Sequence, residues 1–206
     1  MTRKRSASAS FSAAVQAICA GDAPALKRLL TADAALSAAV FTEDVLFTEQ
    51  LLHWLYVRDS LLHLSAAARG LATTTVLLAA GCPVDAASGR RKATPLHYAA
   101  DGFVSGLAHD EAAQAQTITL LITHGANVDA QDANGATPLH RAVRCRCAAA
   151  VEALIAHGCN VNRPNKSGST PLRLAQVDSG RGGSGDPRAR SNQATIADLL
   201  SRAGGT

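Results

Sequence analysis

Cysteines and a histidine in the C-terminal half are the first residues whose types and spacing could support chemistry. One residue separates Cys145 from Cys147, and His140 and Cys159 lie nearby in the sequence. Thiolates and imidazoles are good zinc ligands, but structural sites usually place about two to four residues between paired cysteines and need a full set of convergent ligands. The spacing therefore gives little support to a metal site, or to redox sensing through Cys145 and Cys147.

A glycine-rich run at 178–187, Asp-Ser-Gly-Arg-Gly-Gly-Ser-Gly-Asp-Pro, could in principle cradle a phosphate. Phosphate-binding loops follow a strand and open a helix, and a P-loop also requires Gly-Lys followed by Ser or Thr. The run has neither context, so we interpret it as a flexible loop. No Ser/His/Asp or Cys/His set stands apart from the repeated framework described below. We therefore expect neither catalysis nor a cofactor.

The composition favours packed helices over an aromatic-rich sheet. Of the 206 residues, 47% are hydrophobic but only 3% are aromatic, so Ala, Leu, Val and Ile must fill the core. No run approaches the roughly 18 apolar residues that span a bilayer, and we expect no membrane association. The five cysteines are scattered and odd in number, which indicates a reducing compartment and a cytoplasmic location.

A four-residue motif recurs along the chain. Thr-Pro-Leu-His begins at Thr94 and again at Thr137, and Thr-Pro-Leu-Arg begins at Thr170, 33 residues after the second copy. Ser-Leu-Leu-His at Ser60 is a weaker copy. Thr can cap a helix, and Pro at the first helical position loses no hydrogen bond there. A later glycine in most copies, such as Gly158, predicts the end of a second helix.

This pattern resembles the ankyrin-repeat family, whose repeat reads Thr-Pro-Leu-His-x-Ala-Ala, then a Leu-Leu pair, then Gly-Ala-Asp-Val-Asn-Ala. Residues 125–158 match it nearly position for position. The resemblance implies an all-α fold, an α-solenoid of ankyrin repeats in which each unit is a helix–turn–helix with a short β-hairpin loop. It also implies that His63, His97 and His140 are buried framework residues rather than ligands or bases.

We expect about five units, with a degenerate unit at each end of the array. Residues 1–10 are interpreted as a disordered basic tail and 11–204 as a single ankyrin-repeat domain. The expected units lie near 12–30, 60–93, 94–136, 137–169 and 170–203, and three insertions lie near 31–59, 101–110 and 178–189.

The first insertion holds four of the seven aromatic residues. Within it, we expect an amphipathic helix over Glu43–Tyr56, capped by Thr42. We also expect Trp54, the only tryptophan, to pack against the first repeats.

Ankyrin arrays bind partners in a concave groove formed by the hairpin tips and the exposed side of each first helix. Carrying that surface over position by position implies three tips: Ser88, Arg90, Arg91 and Lys92; Gln131, Asp132 and Asn134; and Asn165, Lys166 and Ser167. The implied helix positions are Tyr98, Asp101, Arg141, Arg144 and Cys145. Six of these residues are cations, and we expect them to converge on an acidic patch of a partner: Arg90, Arg91, Lys92, Arg141, Arg144 and Lys166.

The resemblance implies a protein–protein interaction scaffold, which we expect to be a monomer with no small-molecule substrate and no enzymatic activity. The alternative is binding of nucleic acid or another polyanion through the last third, where residues 137–206 carry 10 basic and 4 acidic side chains. That third lacks the aromatic side chains on which nucleotide bases stack, so protein binding is the preferred hypothesis.

Overall fold

The computed structural model describes residues 9–47, 53–87, 89–101, 110–177 and 187–206, with side chains from residue 190 onward in the last range. A short 3₁₀ helix and two short strands accompany the α-helices. The helices are α1 (Ala9–Cys19), α2 (Ala23–Ala32), α3 (Leu61–Ala67), α4 (Leu71–Ala79), α5 (Pro95–Ala100), α6 (Glu111–Thr123), α7 (Pro138–Arg144), α8 (Ala148–Ala156), α9 (Pro171–Gln176) and α10 (Pro187–Arg202). The 3₁₀ helix is Ala34–Ala38, and the strands are β1 (Val45–Phe47) and β2 (His53–Leu55).

Consecutive helices form five pairs that stack in sequence order. The first helices of successive pairs pack on one another from α1 to α9, and the second helices do the same from α2 to α10. The result is a two-layered α-solenoid in which each pair contacts its neighbours. The predicted all-α repeat fold is therefore confirmed.

Local sequence signals set the ends of these helices. Thr137 accepts a hydrogen bond from the His140 N–H at 3.4 Å, and Pro138 occupies the first turn, where its missing N–H is not needed. Two second helices are followed by Gly125 and Gly158, which have φ angles of 94° and 75°. Glycine adopts this left-handed conformation without a steric penalty, so it can stop the helix and turn the chain.

A buried histidine in the first helix ties each of three units to the next. Its Nδ1 accepts the backbone N–H of the residue that caps the same helix, so Nε2 carries the proton and donates to the carbonyl of the residue just before the cap of the next first helix. The bonds are His63 to Ala93 at 3.1 Å, His97 to Ala136 at 2.9 Å and His140 to Ser169 at 3.1 Å. Burial lowers the pKa of all three imidazoles, that of His97 to about 4, and favours the neutral form.

The core is a continuous apolar cluster along the array. Its fully buried side chains are mainly aliphatic, and they include Leu26, Leu62, Leu77, Leu96, Ile118, Leu121, Leu139, Leu154 and Leu200. Alanines such as Ala99 and Ala142 have no exposed surface and let neighbouring first helices approach closely. Among the helices of the described ranges, none combines the length and apolarity needed to cross a membrane.

The first insertion contains a β-hairpin, so the predicted amphipathic helix over Glu43–Tyr56 is wrong. β1 pairs with β2 in an antiparallel register. Val40 pairs with Ser60 in the same register, nearer the base of the hairpin. The insertion therefore extends the loop that precedes α3 rather than adding a helix.

Side-chain alternation explains this outcome. Leu55 is fully buried, whereas the paired residues Leu46 and Trp54 are 41% and 46% exposed. Burial follows a period of two in each strand, with the middle residue exposed. The sequence does not show this period, because Val45, Leu46 and Phe47 are all apolar, and so short an apolar run fits a helical spacing as well. The prediction that Trp54 packs against the first repeats is also wrong, because its neighbours in the strand face the core instead.

The other two insertions, near 101–110 and 178–189, lie largely outside the described residues. The same is true of most of the glycine-rich run at 178–187 and of the N-terminal residues 1–8.

We expect Leu139→Ala to lower the free energy of unfolding by about 2–5 kcal/mol, because the substitution empties a fully buried site between units. Urea unfolding of the full chain measures the change. Leu71→Ala is the matched control, since Leu71 is 38% exposed at the start of α4 and should lose much less. Equal losses at the two positions would mean that the core face has been misidentified.

Candidate functional site

The turns between units form a row of tips along one edge of the array. Of the side chains predicted to bind a partner, seven are exposed there: Arg90, Arg91, Lys92, Gln131, Asn134, Lys166 and Ser167. We call this set the tip surface. Ser88 of the first tip lies outside the described residues.

Backbone hydrogen bonds join neighbouring tips into one platform. The Ala133 N–H donates to the Arg91 carbonyl at 2.7 Å, and the Lys166 N–H donates to the Asn134 carbonyl at 3.0 Å. The Lys166 ammonium also donates to the Ala133 carbonyl at 2.7 Å. Because each tip is bonded to the next, the exposed side chains are held at fixed spacing on a scaffold.

Two polar residues predicted to bind a partner instead shape their own turns. One oxygen of Asp132 accepts the N–H groups of Asn134 and Ala136 at 2.8 and 3.0 Å. Asn165 accepts two N–H groups in the same way in the next turn, at 2.9 and 3.0 Å. The side chain of Asp132 is only 8% exposed. These residues position the tips and offer little surface to a partner.

Tyr98, predicted on the groove, is buried. Only 1% of the residue is exposed, and its ring lies 5.0 Å from the rings of both His53 and His63. Its hydroxyl donates to Asp59 in a short hydrogen bond. Burial, followed by the charge and hydrogen bond of Asp59, raises the pKa of Tyr98. The expected contact of Tyr98 with a partner is therefore wrong.

Arg141, also predicted on the groove, is 2% exposed and forms two ion pairs. Its guanidinium lies 3.3 Å from Asp101 and 3.0 Å from Asp132. Its centre also lies 5.9 Å from the centroid of the Tyr98 ring. Arg141 thus links its own unit to the preceding one, which holds Asp101, Asp132 and Tyr98, and its place in the predicted row of partner-binding cations is wrong.

Asp101 is the centre of this network. Besides Arg141, it accepts the thiol of Cys145 at 2.8 Å and lies 3.8 Å from Nε2 of His53. Burial alone would raise the pKa of Asp101, but the hydrogen bond of His53 and the charge of Arg141 outweigh it and hold the pKa well below its ordinary value. Asp132 shows the same balance with Arg141. Asp101 is therefore committed to the fold rather than to a partner.

The hairpin from the first insertion is what covers this part of the groove. His53 of β2 contacts both Tyr98 and Asp101, and Asp59 at the base of the hairpin holds the Tyr98 hydroxyl. Sequence reasoning missed His53 and Asp59, because each lies about forty residues or more from its partner and no local pattern connects them.

Arg144 is exposed but lies apart from the tips. It occupies the last turn of α7, whereas the tip precedes the first turn, and seven helical residues span about 10 Å. It lines a shallow groove with Leu174 and Gln193. Of the six predicted cations, four therefore share the tip surface, and none of these four forms an ion pair within the described part of the chain.

Cysteines and histidines do not gather into a metal site in the described ranges, where no group of three or more potential ligands is close enough to hold an ion. Cys145 donates to Asp101, and Cys147 and Cys159 are buried. Burial raises the pKa of each of these two buried thiols to about 12, which favours the protonated, unreactive form.

Comparison with protein families agrees with the repeated architecture. A family model described as ankyrin repeats (many copies) matches residues 121–175, and one described as ankyrin repeat matches residues 91–133. A search of curated proteins finds no match to the chain.

We expect Arg141→Met to lower the free energy of unfolding by about 3–5 kcal/mol, because it leaves two largely buried carboxylates without their cation. Arg144→Met, on the exposed last turn of the same helix, is the matched control and should change stability by less than about 0.5 kcal/mol. Chemical denaturation of both variants makes the comparison. Similar, small effects would show that the ion pairs of Arg141 do not stabilise the fold.

The depressed pKa of Asp101 predicts the pH dependence of its contribution. The carboxylate stays ionised in the folded chain after it has protonated in the unfolded chain, near pH 4. Its stabilisation is therefore complete above that pH and is lost as the pH falls through the lower, folded pKa. We expect Asp101→Asn to destabilise the protein at pH 7, with a difference that shrinks steadily below about pH 4. A difference independent of pH would contradict this assignment.

Proposed function

The chain is an ankyrin-repeat protein, and on that premise we propose that it binds an acidic partner protein through the tip surface. Ankyrin repeats generally mediate protein–protein interaction and are typically not enzymes. The tip surface supplies exposed side chains on a platform whose turns are hydrogen-bonded to one another. An extended, rigid surface of this kind favours a macromolecular partner over a small substrate.

The observation that carries the proposal is the contrast between buried and exposed cations. Arg141 is neutralised by two internal carboxylates, whereas Arg90, Lys92 and Lys166 are exposed and form no ion pair within the described ranges. Positive charge that no carboxylate of the fold neutralises remains available to a partner. Opposite charge on that partner would accelerate association and select against basic surfaces.

The basic last third offers less to nucleic acid than its composition indicates. Arg141 and Arg146 are buried, and Arg202 pairs with Asp198 at 2.8 Å. Part of the excess charge in that third is thus held within the protein. This observation supports the protein-binding proposal over the polyanion alternative.

The test combines capture with charge reversal on the tips. Full-length protein is immobilised, partners are captured from an extract of the cells that make it, and mass spectrometry identifies them. Affinity for the purified partner is then measured with Lys92→Glu/Lys166→Glu and with the control Lys27→Glu/Arg28→Glu, whose two cations are exposed on α2.

We expect the tip variant to weaken binding by about tenfold, because both charges change sign, and the wild-type affinity to fall between about 50 and 500 mM salt. The α2 variant should bind like the wild type, and neither variant should shift the melting temperature much. A partner that binds the tip variant as tightly as the wild type would exclude the tip surface.

A further inference from the structure

The hairpin presents apolar side chains to solvent. Of six large apolar residues exposed in the described ranges, four lie between residues 40 and 57: Val40 (39%), Leu46 (41%), Trp54 (46%) and Val57 (43%). Leu46 and Trp54 face each other across the two strands. We call Leu46 and Trp54 the outer hairpin face. Clustered exposed apolar residues, unlike scattered ones, mark interaction sites.

The opposite side of the hairpin is firmly anchored, so the outer face is held in place. The ring of Phe47 lies 6.2 Å from that of Phe41, which lies 5.1 Å from that of Phe11 in α1. Leu55 is fully buried, and His53 contacts α5. The hairpin is thus packed through one face and open on the other.

Aromatic and cationic groups meet beside this face. The rings of Trp54 and Tyr56 stack with centroids 6.4 Å apart. The guanidinium of Arg91 lies over the Tyr56 ring, 4.2 Å from its centroid. Such a contact orients the arginine while leaving its N–H donors available.

A cleft opens between the hairpin and the first tip. It has a volume of about 690 Å³ and is lined by Asp44, Tyr56, Val57, Arg58, Arg90 and Arg91, among others. Asp44 is the one carboxylate in the lining, and it already accepts the Val57 N–H at 2.8 Å. Three arginines therefore surround a space of the size that binds peptide side chains or small ligands. We call it the arginine cleft.

We infer that the outer hairpin face and the arginine cleft together bind an acidic segment of a partner protein, with one large apolar side chain seated against Leu46 and Trp54. This inference rests on the proposed protein-binding function. It extends the tip surface, whose Arg90 and Arg91 also line the cleft, to the hairpin, and it adds the chemistry of the ligand. Arginine binds carboxylates through paired N–H donors, which suits Asp and Glu side chains. A tryptophan beside arginines is also the composition of interface hot spots.

An acidic protein segment fits this surface better than a nucleic acid does. The Tyr56 ring already has Trp54 stacked beside it and the Arg91 guanidinium over it, so less of that ring is left for a base. Leu46 and Trp54, which pair across the strands, form an exposed apolar surface that favours an apolar side chain. The experiment must therefore also exclude binding of a nucleic acid to this surface.

The experiment uses a phage-displayed library of random peptides, about twelve residues long, selected on the full-length wild-type protein and counter-selected on Leu46→Ser. We expect the enriched peptides to carry two or more Asp or Glu residues beside a large aliphatic or aromatic residue. A synthetic copy should shift the tryptophan emission to shorter wavelength, because Trp54 is the only tryptophan and binding would remove it from water.

Matched variants separate the two components of the surface. Leu46→Ser and Arg58→Glu should each lower the affinity for the synthetic peptide by at least about fivefold. Leu71→Ser, at another exposed leucine, and Lys27→Glu should change that affinity by less than about twofold. Circular dichroism checks that each variant remains folded.

Three results would overturn the inference: no peptide that distinguishes the wild type from Leu46→Ser, enrichment of peptides without acidic residues, or displacement of the peptide by a thymidine oligonucleotide at similar concentration. The proposed function and this inference can be refuted independently of each other. Loss of partner capture with Lys92→Glu/Lys166→Glu but not with Leu46→Ser or Arg58→Glu would leave the proposed function standing and remove the hairpin from it.

Discussion

The pair of hydrogen bonds that a buried imidazole makes, one to the cap of its own helix and one to the residue before the next cap, fixes the spacing of first helices from α3 to α9. Both bonds form only while the histidine is neutral, since Nδ1 must accept a backbone N–H while Nε2 donates. Burial enforces that state by lowering the pKa. The same requirement accounts for the threonine cap, the proline after it and the small residues that follow, because each helps to bring one first helix within bonding distance of the next. Histidine often acts in catalysis, but in His63, His97 and His140 both ring nitrogens are used in hydrogen bonds that hold the fold.

The division of charge between framework and surface changes how the groove is understood. Arg141, Asp101 and Asp132 occupy positions that line the binding groove in the family, yet they satisfy one another. The hairpin then covers what remains of that face at α5. The side chains left for binding a partner therefore lie at the tips and on the outer hairpin face. An insertion has therefore both closed one surface and created another.

The repeat itself was predictable because its signals are local. Thr137, Pro138 and Gly158 each act within a few residues, so spacing alone indicates where helices begin and end. The hairpin was not predictable, because its strands are three residues long and Val45, Leu46 and Phe47 are all apolar, so no alternation of residue types marks a strand. The burial of Tyr98 could not be predicted from the sequence either. Its partner Asp59 is 39 residues away, and no local pattern connects the two.

The connection between α5 and α6 shows that this architecture accommodates additional residues at a small cost in free energy. Residues 101–110 separate these two helices, whereas only 145–147 separate α7 from α8, yet the bond from His97 to Ala136 is as short as those on either side. Asp110 caps α6 as the chain re-enters, and Asp101 is fixed at the end of α5. The entropy of closing a loop grows only with the logarithm of its length, by about 0.6 kcal/mol for each doubling. Selection can therefore vary the length and content of such a connection while the stacked frame stays unchanged.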